Sequence, residues 1–89
     1  MDSATLLVYL KVDLGITADA YDSRLIQYLE SAKTQIEREG ITLTDSVDDA
    51  QLVIMYAAWM WRRRDTGEGM PRMIRYALNN RLMQEKING

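Results

Sequence analysis

Apolar residues recur along this chain at three- and four-residue spacing in four separate runs, a period that belongs to helices and not to strands. In the first run Leu6, Leu7, Leu10 and Leu14 share a face, Ser3 stands where a cap is needed and Gly15 follows as a stop, which predicts a helix over 4–14. In the second, Leu25, Leu29, Ala32 and Ile36 form a stripe widened by Ile26 and Tyr28. Thr17, Asp19 and Asp22 crowd its start, where carboxylates suit the positive end of a helix dipole, and Gly40 is placed to close it after Glu39. Residues 41–43 alternate too briefly for a strand and read as an extended connector.

Ser46, Asp48 and Asp49 then supply acceptors for the unpaired N–H groups of a third helix, expected to run to about Arg64. The stretch Thr66-Gly67-Glu68-Gly69 breaks it, and Pro71 suits the first turn of a fourth helix whose stripe is Ile74, Ala77, Leu78 and Leu82. The third helix is the informative one. Ala50, Val53, Ile54, Ala57, Ala58 and Trp61 make one apolar face, and Leu52, Met55, Tyr56, Trp59 and Met60 fill most of the rest. A helix apolar nearly all round must be covered nearly all round. One reading is a core helix wrapped by the other three. Three partners of this size hardly cover two Trp, a Tyr and two Met, however, so part of that surface is expected to meet another subunit. A membrane span is rejected, since residues 50–61 fall well short of the roughly 20 apolar residues a bilayer needs. The fold class expected is all-α: a four-helix compact domain with a long central apolar helix and short connectors, occupying residues 1–89.

Composition narrows the chemistry. A chain of 89 residues holds one small core. It has no Cys and no His, which excludes disulfides, zinc sites of the usual kind and catalysis by thiolate or imidazole. Asp45, Asp48 and Asp49 lie in no glycine-bearing calcium loop, Gly67 and Gly69 lack the lysine and preceding strand of a phosphate loop, and no lysine is spaced to single out a Ser-Lys pair. No residue is therefore nominated as catalytic, cofactor-binding or metal-ligating, and a non-enzymatic protein is expected. Asp2 replaces the basic start of a secretory signal, so the cytoplasm of the producing cell is the expected location.

Charge is polarised along the chain. Residues 1–50 hold ten acidic against four basic side chains, whereas residues 51–89 hold seven basic against three acidic. Such polarity suits either a basic nucleic-acid arm or copies of one protein whose opposite faces attract. Arg62, Arg63 and Arg64 end the third helix, where cations gain from the dipole; pointing about 100° apart, at least one must reach solvent or a partner. With Arg72, Arg75 and Arg81 they could also form a phosphate-binding surface. No recognition-helix signature accompanies them and the chain is acidic overall, so sequence-specific DNA binding is the lesser reading.

The order of these features resembles a family, the small head-tail connector (adaptor) proteins of long-tailed bacteriophages. The amino-terminal likeness is Leu6-Leu7-Val8-Tyr9-Leu10-Lys11 leading to Leu14-Gly15-Ile16, then Tyr21-Asp22 and Leu25-Ile26-Gln27-Tyr28-Leu29-Glu30-Ser31-Ala32, with Ile36-Glu37 and Gly40. The carboxy-terminal likeness is Ala50, the apolar run 53–61, Arg64-Asp65, and Met70-Pro71 opening the last helix. The resemblance implies a virion structural protein, made in the host bacterium's cytoplasm and placed at the neck. It implies a homo-oligomeric ring, formed by the chain alone or only on the portal, with the portal protein on one side and the next neck or tail-completion protein on the other. Genome DNA would pass through the channel, touching arginines without being read. No cofactor and no membrane are implied. Subunit or portal contacts are expected at Tyr56, Trp59, Met60, Arg62, Arg63, Arg64, Arg72 and Arg75. The short connector from Gly40 to Ser46 and the ending at Asn88-Gly89 depart from the family pattern and bear on the portal contact. The rival expectation is a small helical DNA-binding protein of phage DNA packaging or regulation.

Overall fold

A computed structural model describes residues 2–88 as four helices: α1 (Ser3–Leu14), α2 (Asp22–Arg38), α3 (Val47–Thr66) and α4 (Arg72–Asn88). Gly89 lies outside the described residues, among which there is no strand. No helix of the described residues is long and apolar enough to cross a membrane.

The helix ends show how local chemistry set the boundaries. α1 begins one residue earlier than expected, because Asp2 and not Ser3 is its cap: Asp2 Oδ1 accepts from the Ala4 N–H at 3.2 Å. A carboxylate also gains from the dipole there. Ser3 lies inside the helix, where its hydroxyl donates to Glu30 and accepts from Lys33 Nζ at 2.9 Å, tying α1 to α2. Gly15 closes α1 in the left-handed conformation, at φ +70°. At the start of α2 Tyr21 provides no side-chain cap, and Asp19 and Asp22 instead hold Lys11 of α1 at 3.1 and 2.9 Å. α3 is capped by Ser46 Oγ, which accepts from the Asp49 N–H at 3.1 Å, and it continues two residues beyond Arg64 before Gly67 ends it. Pro71 stands just ahead of α4, its carbonyl accepting from the Ile74 and Arg75 N–H groups.

The buried side chains form one cluster. Leu6 and Leu10 come from α1, Leu25, Leu29, Ala32 and Ile36 from α2, and Ile74 and Leu78 from α4. Ile41 of the connector joins them. α3 packs against each of the other three helices. It contributes Val53 and Ala57, which are fully buried, and no side chain from Leu52 to Trp61 is exposed. Of the five large side chains expected to exceed what three helices cover, the chain itself covers two and leaves three partly open. Tyr56 and Trp61 are each only 8 % exposed, and Met55, Trp59 and Met60 are half-buried.

Gly40 marks the turn from α2 into the connector at φ +104°, and a Cβ there would stand 3.3 Å from Leu82 Cδ1 of α4. An L side chain fits this backbone poorly and meets α4 as well. Gly40→Ala is expected to lower stability by about 1–2 kcal/mol in urea unfolding, whereas glycine to alanine at an exposed helical position would raise it by about 0.4–1 kcal/mol.

Candidate interaction surface

The eight nominated residues fall into three groups once folded. Tyr56, taken from sequence as a contact residue, is a core residue, covered by its own chain and set edge-on to Trp59 with ring centroids 5.5 Å apart. Its place on the apolar helix gave no clue to which side the other helices would cover. Arg64 and Arg75 are engaged internally. The Arg64 guanidinium lies 3.5 Å from the centre of the Trp61 ring, Nη1 donates to the Trp61 carbonyl at 2.6 Å, and Nη2 approaches Asp65 at 3.8 Å. It thus makes a second bond to a carbonyl near the end of α3 and forms a cation–π lid on the core. Arg75 pairs with Glu39 at 3.2 Å across the α4–α2 junction.

Trp59, Met60, Arg62, Arg63 and Arg72 remain at the surface. Trp59 donates its indole N–H to the Gly69 carbonyl at 3.1 Å, pinning the α3–α4 loop, and the Arg63 guanidinium sits 4.8 Å from the ring centre. Trp59 and Arg62 line a groove of about 280 Å³ with Asp13, Glu68, Pro71 and Met73, between the end of α1 and the start of α4. Met60 opens on a different depression, shared with Arg24 and Tyr28. Arg62, Arg63 and Arg72 have no carboxylate partner among the described residues. The corner where α3 ends and α4 begins is therefore cationic, and it carries a half-buried tryptophan.

Arg81 is corrected outright. The lesser, phosphate-binding reading grouped it with Arg72 and Arg75, but it points inward to Asp49, which is 2 % exposed. Arg81 Nε donates to Asp49 Oδ1 at 2.7 Å and Nη2 to Oδ2 at 3.3 Å. The backbone N–H and hydroxyl of Thr44 donate to the same Oδ2 at 2.8 and 2.9 Å. Arg81 Nη2 also reaches the Thr42 carbonyl at 2.7 Å and Nη1 the Glu85 carboxylate at 3.0 Å, while Glu85 accepts from the Thr42 N–H at 3.1 Å. The cluster therefore fastens the connector and α4 to the start of α3. Burial pushes the Asp49 carboxyl up, but the hydrogen bonds from Arg81 and Thr44 outweigh it and hold the carboxyl below the ordinary range. Both Asp49 oxygens are taken up by these donors, so the acidic start of α3 is a structural joint.

Two surface features were missed. α1 turns Val8, Tyr9 and Val12 outward, and α4 turns out Met73, Tyr76, Met83 and Ile87, all more than half exposed. The signal was available: both sets repeat at helical spacing on the side away from the core stripe. Comparison with known protein families, curated proteins and solved structures finds no significant match for this chain.

Proposed function

We propose that this chain is a non-enzymatic virion structural protein of the head-tail connector kind. It forms a homo-oligomeric ring at the phage neck, between the portal and the next neck or tail component, with genome DNA passing through the channel. In this reading α3 is the long central apolar helix of a single domain, and its charged end is a docking corner. The observation that supports it is the composition of that corner: Trp59 beside Arg62 and Arg63, with Arg72 at the start of α4, cations that have no carboxylate partner among the described residues. Tryptophan and arginine are the residues that most often anchor protein interfaces. The polarity of the chain fits as well, since an acidic amino-terminal half of one copy attracts a basic carboxy-terminal half of the next.

The rival reading, a DNA-binding protein, rests on the same arginines, and the two differ in what these touch. Arg62→Ala combined with Arg63→Ala is expected to leave duplex-DNA affinity negligible at about 0.15 M salt, as it already is in the parent chain, when read by fluorescence anisotropy. Tight, sequence-selective binding by the parent chain, lost in the double variant, would establish the rival and sink the connector reading.

A further inference from the structure

α1 and α4 each pack inward with one stripe and leave a second apolar stripe outward. On α1 the outward positions are Val8, Tyr9 and Val12, with exposures of 60 %, 58 % and 74 %. On α4 they are Met73, Tyr76, Met83 and Ile87, spaced by three and seven residues or fewer about Asn80, so that all project within one narrow sector of the helix at about 100° per residue. A chain that exposes two such stripes on two different helices has two surfaces to cover.

Charge chooses the occupant. Asp2, the cap, and Asp13 are exposed at the two ends of α1, and Asp13 lies along one edge of its apolar stripe. Arg72 and Lys86 are exposed at the two ends of α4 and lie along one edge of its stripe. At about 1.5 Å per residue the acidic pair is about 16 Å apart and the basic pair about 21 Å, a difference that the long arginine and lysine side chains span. Pairing α4 with a second α4 would set like charges against each other, and so would pairing α1 with α1. Pairing α1 with α4 sets apolar against apolar and acid against base.

We infer that the outward face of α4 in one copy docks on the outward face of α1 in the next, the second copy being the partner for which both stripes are built. This rests on the ring reading and specifies its contact. It is a heterologous interface: each copy offers a different face to each neighbour, and repetition leads to a closed ring or an open filament. One helix-on-helix contact is smaller than the roughly 800 Å² per partner of a standard interface, so each contact is weak alone and the assembly is held by closure.

The test uses two full-length variants, Val8→Lys with Val12→Lys on α1, and Tyr76→Lys with Met83→Lys on α4. All four positions are exposed, so helical circular dichroism and melting temperature should be retained. The two altered faces repel each other, and each variant keeps one native face. Sedimentation equilibrium at about 0.3 mM chain, a concentration suited to a contact below standard size, should find each variant monomeric alone. An equal mixture should give a heterodimer of twice the 10.3 kDa chain mass and nothing larger. If the α1 variant dimerises alone, α4 pairs with itself and the inference is overturned. A parent chain that oligomerises while neither variant changes its mass, or while the mixture stays monomeric, also overturns the α1–α4 contact but leaves the ring reading standing. A parent chain that is monomeric throughout overturns both.

Discussion

Replacing Arg81 with methionine is expected to remove about 3 kcal/mol or more of folding stability, the magnitude seen when one partner of a buried ion pair is taken away. The reason is what remains. Asp49, 2 % exposed with Arg81 in place, loses its charged partner, and the two Thr44 hydrogen bonds alone must hold its negative charge. Arg81→Met also releases the Thr42 carbonyl and Glu85, loosening α4 from the connector. Removing both charges, with Asp49→Asn and Arg81→Met together, should recover part of the loss, because no unpaired ion is then left inside. The same joint sets the acid limit of the fold. A carboxyl whose folded pKa lies below its unfolded value of about 3.9 contributes stability that is complete above that value and is lost as pH falls through the folded pKa. Glu30 and Glu85 are lowered too: at Glu30 the Ser3 hydroxyl is the main cause, followed by Lys33, and at Glu85 the Thr42 hydrogen bond comes first, followed by Arg81. Stability should therefore fall on acidification below about pH 4, with a shallower fall in Asp49→Asn. With neither His nor Cys in the chain, no side chain ordinarily titrates between about pH 5 and 8, and a flat profile is expected there. Urea unfolding across pH measures both.

Trp61→Ala is the second large effect, with an expected loss of about 3–5 kcal/mol. Tyr21 and Tyr28 meet the Trp61 ring edge-on, with centroids 5.5 and 5.9 Å away, and Arg64 covers its face. Truncation leaves a cavity where the start of α2 meets α3, and it also uncovers Arg64. A domain of this length has a total stability of about 5–15 kcal/mol, so the variant should be marginal at 37 °C. Trp61→Phe keeps an aromatic ring between the two tyrosines and should retain more than half of that difference, whereas Arg64→Ala should lose only about 1 kcal/mol. Thermal unfolding followed by circular dichroism orders the three. Equal losses for Trp61→Ala and Arg64→Ala would mean that the arginine, not the ring, holds this part of the core.

Much of the fold was legible because helix period and helix punctuation are local. The stripes Leu6–Leu10 and Leu25–Leu29–Ala32–Ile36 sit in the core as their spacing required, and Gly15 and Gly67 end helices where a left-handed residue was needed. Boundaries moved where two residues could serve one N–H group, as with Asp2 and Ser3. The interaction surface was less legible, because it depends on which cations find partners far along the chain. Arg81 and Arg75 look like Arg72 in sequence, yet Asp49 lies 32 residues before Arg81 and Glu39 lies 36 before Arg75, and only the packing of α4 brings them together. Asp49 read as one more acid at a helix start, and nothing local distinguishes it from exposed Asp48. Tyr56 and Trp59 differ in burial for the same reason: on a helix apolar nearly all round, the other helices decide which side is inside.

Whether copies of this chain assemble through unlike faces is read most directly from mass by light scattering behind a sizing column, over a wide range of protein concentration. The account predicts a discrete oligomer of many copies that grows in with concentration and loses mass between about 0.1 and 1 M salt, as screening shortens the reach of charge from about 10 Å to about 3 Å. A strict monomer, or a plain dimer that salt leaves unchanged, would contradict it.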